Sequence, residues 1–166
     1  MEPSPPPRVV LSRLLTPATI ELELRAGQRD AIFVELIDRI SELAKNPEGR
    51  RTLLRALQER ELLHSTGIGD GVAIPHARNA IAGLADHPIV VFGRHSPGIA
   101  YGAIDGAPVR LFFLLLAPSV GQHLQTLARL SRMLRDAAVR KALLAAEKPE
   151  TVLEVIREAE GDLLNR

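Results

Sequence analysis

The run Val109-Arg110-Leu111-Phe112-Phe113-Leu114-Leu115-Leu116 constrains this chain more than any other stretch. A half-buried strand alternates apolar and polar residues, whereas a strand apolar at nearly every position buries both faces and needs a packed layer on each side. Residues 109–116 are therefore expected in the middle of a sheet. The longest unbroken apolar run, 111–117, is far short of the roughly 20 residues that a membrane helix needs. The chain is accordingly expected to be soluble, with no direct membrane insertion.

The flanking sequence supplies the covering layers. Ile20-Glu21-Leu22-Glu23-Leu24 alternates with the period of a strand. Over 30–45, Ile32, Phe33, Leu36, Ile37, Ile40 and Leu43 recur at helical spacing, and Asn46-Pro47 is expected to stop that helix. A second helix over 50–63 would bury Leu53, Leu54 and Leu57. Short strands are expected at 72–75 and 89–93, and helices after Pro118, over 137–146 and over 150–159. Helices before, between and after strands predict an α/β fold, a mixed β-sheet sandwiched by helices, as a single domain.

Composition narrows the partners. Lys and Arg total 21 against 20 Asp and Glu in 166 residues, so no overall field holds the protein on nucleic acid or an anionic membrane. There is no cysteine, which removes disulfide frameworks and zinc ribbons and fits a reducing, cytoplasmic setting. Residues 1–8 contain Pro3, Pro5, Pro6 and Pro7 and are expected as a disordered, proline-rich tail ahead of a domain at 9–166.

The chemistry is expected in Ser65-Thr66-Gly67-Ile68-Gly69-Asp70-Gly71-Val72-Ala73-Ile74-Pro75-His76-Ala77-Arg78. A glycine-rich turn brings backbone N–H groups close to an anion, and a histidine fixed beside it can accept and donate a phosphoryl group. Ser65 and Thr66 add hydroxyls, Gly67 and Gly69 permit close approach, and Arg78 adds a planar cation. No Gly-Lys-Ser or Gly-Lys-Thr follows, so the turn is not a nucleotide P-loop. The plainer alternative is a tight loop followed by a surface histidine.

Two further residues are candidates. Ser119 and Gln122 form an S-x-x-Q capping pattern that puts His123 in the first turn of a helix, where a neutral imidazole can donate to a phosphate or simply meet water. Arg60 closes the second helix just before the loop and either reaches a phosphate on His76 or pairs with Glu59 or Glu61. His64, His87 and His95 lack comparable neighbours and read as surface or structural. Neither a zinc-binding H-x-x-x-H pattern nor a G-x-S-x-G nucleophile elbow occurs, so no metal, no cofactor and no serine-hydrolase chemistry is expected.

Taken together, Arg60-Glu61, the segment 65–78, the loop Ala103-Ile104-Asp105-Gly106-Ala107-Pro108-Val109 and Gln122-His123-Leu124-Gln125-Thr126-Leu127 resemble the mannitol/fructose-type (type 2) EIIA family of the bacterial phosphotransferase system. The likeness runs over residues 11–159 and is closest to the nitrogen-regulatory (PtsN) branch. It implies a phosphotransferase-system component with a phosphohistidine intermediate. His76 would be the phosphoacceptor, His123 would support the phosphate, Arg60 would stabilise its charge, and Ser65 and Thr66 would match hydroxyl positions of the loop. The upstream partner implied is an HPr-like (NPr) phosphocarrier. Downstream lie regulatory target proteins or, alternatively, the EIIB domain of a fructose/mannitol-type sugar permease.

Overall fold

The computed structural model describes residues 2–3 and 8–164. The tail expected over 1–8 falls, for residues 1 and 4–7, outside the described residues.

The doubly apolar run forms β5 (Val109–Leu116), third of five strands in a mixed sheet. Its neighbours are β4 (Ile89–Ile99), antiparallel, and β3 (Val72–Ala73), parallel. The edges are β1 (Ile20–Glu21), parallel to β4, and β2 (Gly67–Gly69), antiparallel to β3. Alternation along β5 explains the apolar run. Leu111, Phe113 and Leu115 face one core and Phe112, Leu114 and Leu116 the other, which Val109 joins out of step at the start of the strand. Only Arg110 of the strand is exposed.

Each core is closed by its own helices. Against one face pack α1 (Arg29–Ile37) and α2 (Pro47–Leu63), through Ile32, Phe33, Leu36, Leu53 and Leu57. Against the other pack α3 (Val120–Met133), α4 (Ala137–Ala145) and α5 (Pro149–Leu164), through Leu130, Met133, Leu143, Val152 and Ile156. The α/β sandwich expected from the sequence is the fold observed.

Several boundaries differ from expectation, each for a local reason. The helix expected over 30–45 ends at Ile37, and Ser41–Leu43 forms a separate 3-10 turn. The apolar spacing continues because the turn also buries Leu43 against the same core. Asn46 does not stop a helix; it starts α2, its side chain accepting from the Gly49 N–H at 2.8 Å with Pro47 in the first turn. The first strand shrinks to two residues, although the Leu24 N–H still reaches the Arg94 carbonyl at 2.8 Å. Strand β4 runs on to Ile99 through a register shift after Arg94.

Two polar anchors, one buried and one half-buried, escaped the sequence. The Glu160 carboxylate accepts from the backbone N–H groups of Leu11 and Ser12 and from the Ser12 hydroxyl, tying the start of the chain to α5. The Arg94 guanidinium donates to the carbonyls of Leu143, Leu144 and Ala146 and so closes the C-terminal end of α4.

Candidate functional site

Two neighbouring parallel strands end at the same edge, and the site lies there. The backbone of His76 bridges to Leu115 beyond the end of β3, and the Leu115 N–H donates to the Pro75 carbonyl at 3.0 Å. Just past the end of β5, Ser119 caps α3, accepting from the Gln122 N–H at 3.3 Å while its hydroxyl donates to Gln122 Oε1 at 2.8 Å. That cap is the S-x-x-Q pattern in action, and it delivers His123 to the same edge. The two imidazole centroids are 5.6 Å apart, with the rings inclined at 59°.

The ring of His76 is held in one tautomer. Its Nδ1 lies 2.6 Å from the carbonyl oxygen of Ile74. A carbonyl only accepts, so Nδ1 carries the proton and Nε2 presents a lone pair. Residue exposure is 8 % for His76 and 6 % for His123, so neither is the surface histidine of the plainer alternative. Enclosure does not seal Nε2. Among the described residues the one fully buried side-chain nitrogen or oxygen without a hydrogen-bond partner is His95 Nδ1, so His76 Nε2, which has no protein partner, keeps contact with solvent.

Burial sets the charge state. It pushes the His76 imidazole below the ordinary histidine value of 6.5, and the positive charges of Arg60 and His123 act in the same direction. The Ile74 carbonyl, second only to burial in its influence, opposes this, and the Glu61 carboxylate opposes it least of all. Burial also lowers His123. Both rings are thus biased toward neutrality, the form in which Nε2 can act as a nucleophile.

Arg60 is near enough to act on the charge of His76. It pairs with neither Glu59 nor Glu61, and its guanidinium instead donates to the His64 carbonyl at 2.5 Å. Together with Arg78 it lines a cleft of about 380 Å³ that runs past Ala77. Glu61 turns inward, 8 % exposed, on the face of α2 that carries Leu53 and Leu57. The four-residue spacing of 53, 57 and 61 was the signal available for it.

The loop residues require a correction. Ser65, Thr66, Gly67 and Gly69 were expected to offer free donors to a phosphate, yet those of Thr66 and Gly67 are already bonded within the protein. The Thr66 N–H and hydroxyl both donate to Glu61, and the Gly67 N–H donates to Ser65 Oγ at 3.0 Å. Gly67 and Gly69 form β2, and Gly69, Asp70 and Gly71 all have positive φ in the turn into β3. The Asp70 N–H at that turn faces the Asp105 carboxylate at 3.0 Å. A carboxylate already stands where an anion was expected.

Of the other histidines, His64 and His87 are exposed and His95 is buried in β4. No group of three or more metal-ligating side chains occurs among the described residues. No helix there is long and apolar enough to cross a membrane. A larger cavity of about 640 Å³ lies among α3, α4 and α5, away from both site histidines.

Residues 13–159 match the family described as phosphoenolpyruvate-dependent sugar phosphotransferase system, EIIA 2. A fructose-specific EIIABC component of Bacillus subtilis is 33% identical over 150 residues, covering 89% of this chain but only 23% of its own length. A nitrogen regulatory protein of Bradyrhizobium diazoefficiens is 34% identical over 152 residues, covering 88% of this chain and 94% of its own. Among solved structures, the nitrogen regulatory protein IIA-Ntr of Neisseria meningitidis superposes with a TM-score of 0.78 at 29% identity, covering 89% of this chain and 99% of that one.

Proposed function

The chain belongs to the EIIA 2 family of the phosphoenolpyruvate-dependent sugar phosphotransferase system, and on that premise we propose that it is a phosphoryl carrier whose His76 accepts a phosphoryl group from the phosphohistidine of an HPr-like carrier. One observation carries this reading: His76 Nδ1 is tied to the Ile74 carbonyl, which leaves Nε2 as the free nitrogen beside His123.

The transfer follows from that geometry. His76 Nε2 attacks phosphorus in line as the bond from phosphorus to the donor's ring nitrogen breaks. The electrons of that bond return to the donor imidazole, which leaves neutral, and the His76 ring, still protonated on Nδ1, takes up the positive charge. Transition states of this kind are loose, so alignment and charge stabilisation do most of the work. His123 donates to an oxygen of the moving group, and the Arg60 guanidinium offsets its negative charge. Ser65, Thr66, Gly67 and Gly69 support the site as framework.

A protein donor must press its own phosphohistidine against this edge, and the surroundings suit that. Leu62 and Leu63 at the end of α2, Ile68 in β2, Ile104 beside Gly67, and Val120 and Leu124 on α3 are exposed apolar residues on the segments that carry the site. We assign the carrier to nitrogen-type regulation on its likeness to nitrogen regulatory proteins, the solved IIA-Ntr structure among them. Gaining a phosphoryl group that itself carries about −1.5 to −2 charges would then change which target proteins bind. The second reading, delivery to an EIIB domain, rests on the likeness to the fructose-specific EIIABC component.

Incubation with a phosphorylated HPr-like carrier, followed by intact mass at neutral and acid pH, tests the assignment. An acid-labile phosphoryl adduct is expected on the wild type and not on His76→Ala; equal labelling of both would refute it. His123→Ala is expected to slow uptake by about 10- to 1,000-fold, the range for losing one charge-stabilising donor. Rapid onward transfer to a fructose-type EIIB domain would favour the second reading.

A further inference from the structure

Resting on the phosphoacceptor reading of His76, we propose that Glu61 is its positioning residue, acting from a buried carboxylate on the imidazole through three hydrogen bonds joined by the backbone of Thr66 and Ile74. The first link joins the Glu61 carboxylate to the Thr66 N–H, at 3.1 and 3.2 Å to its two oxygens. In the second, the Thr66 carbonyl accepts from the Ile74 N–H at 3.0 Å. In the third, the Ile74 carbonyl holds His76 Nδ1 at 2.6 Å. Three links thus connect the end of α2 to the ring whose tautomer the chemistry needs.

The anchor is unusually well defined. Glu61 and Thr66 are 8 % and 2 % exposed. Besides the Thr66 N–H, the carboxylate accepts from the Thr66 hydroxyl and from the Tyr101 hydroxyl, the latter at 2.9 Å. Three donors suit an acceptor-only group. Burial and the nearby carboxylate raise the Tyr101 phenol well above its ordinary range, so it stays protonated and remains a donor. Tyr101 packs edge-on against Phe33 and Phe112, which fixes the network to the core.

A charge is not needed merely to hold a loop. Glu61 has no ion-pair partner among the described residues, and a buried carboxylate without a cation is costly where a neutral amide would serve. The cost has a counterpart in the reaction. On accepting a phosphoryl group the His76 ring becomes cationic, and Glu61 is the acidic residue whose charge favours that form, though less strongly than Arg60 and, when protonated, His123 oppose it. The same side chain therefore orients the nucleophile and favours the charge that the nucleophile acquires.

Nitrogen-15 NMR of the His76 ring tests this without any phosphoryl donor, so it can fail or succeed independently of the phosphoacceptor assignment. In the wild type, Nδ1 is expected to be the protonated nitrogen. In Glu61→Ala the two nitrogen shifts should converge toward a tautomer mixture, and where His76 is phosphorylated the uptake rate should fall about 10- to 100-fold, as for small misplacements of a reacting group. Glu61→Gln retains an acceptor for the Thr66 N–H. It should therefore keep the Nδ1–H tautomer but titrate at lower pH, because the charge is gone. A folded Glu61→Ala with unchanged tautomer and rate would overturn the proposal. If Glu61→Ala does not fold, an unchanged titration of His76 in Glu61→Gln would overturn it equally.

Discussion

Adding a single methyl group at Gly67 should damage this protein, whereas adding one at Gly161 should not. A Cβ built on Gly67 would lie 2.7 Å from Ala103 Cβ, 2.9 Å from Ala103 Cα and 3.1 Å from Tyr101 Cδ1. Ordinary contact begins at 3.4 Å, so the closest pair must separate by 3.4 − 2.7 = 0.7 Å. Ala103 has no flexible side chain to swing away, and its neighbour Ile104 is bonded to the Gly67 carbonyl at 3.3 Å. The strain must therefore move backbone. Overpacking of this kind costs about 1–3 kcal/mol, equivalent to roughly 2–4 °C of melting temperature per kcal/mol for a chain of this size. The displaced backbone adjoins Thr66, so His76 should lose its alignment as well, and phosphoryl uptake should fall by up to about 100-fold if the shift approaches 1 Å. At Gly161, inside α5, a new Cβ meets nothing within 4 Å, and Gly161→Ala should gain about 0.5–1 kcal/mol from helix propensity. Thermal and urea unfolding of both variants, with uptake kinetics, measure the contrast. A Gly67→Ala variant as stable as Gly161→Ala would show that the Ala103 backbone yields freely and that the packing argument is wrong.

Two further outcomes follow from buried polar groups. Because burial lowers His76 and His123 in the fold, the unfolded chain binds more protons just below the ordinary histidine value of about 6.5, and stability rises with pH through that window. Urea midpoints should therefore be highest above that value and fall as the pH drops below it. The fall should be shallower in His76→Gln, and an identical pH slope would contradict the assigned shift. Glu160→Ala leaves the Leu11 and Ser12 N–H groups without their carboxylate and should cost about 2–3 kcal/mol. A loss below roughly 0.5 kcal/mol, the range of an ordinary surface substitution, would mean that water replaces Glu160 freely.

Legibility in the sequence tracked how local each determinant is. The central strand, the helical layers and the Ser119 cap depend on periodicity and on residues within one turn of each other, and they appear where expected. The helix expected over 30–45 broke after Ile37 because apolar spacing records which residues face the core, not whether the backbone between them stays helical. The glycine loop was recognised as special for the right chemical reason, permissive backbone, but its donors proved to be spent on Glu61, Ser65 and Asp105. Partners distant along the chain are invisible to any local pattern.

The order of residue types along the chain determined the layered architecture and marked His76 and His123 as candidate site residues, since hydrophobic period and capping chemistry are written in neighbouring residues. Only the tertiary structure decided that Ile74 holds Nδ1, that Glu61 lies inward against Thr66 and Tyr101, and that the two imidazoles sit 5.6 Å apart. Those facts depend on where separate segments meet in three dimensions. The meeting is set by packing two cores against one sheet, which brings the ends of β3 and β5 and the start of α3 to a common edge.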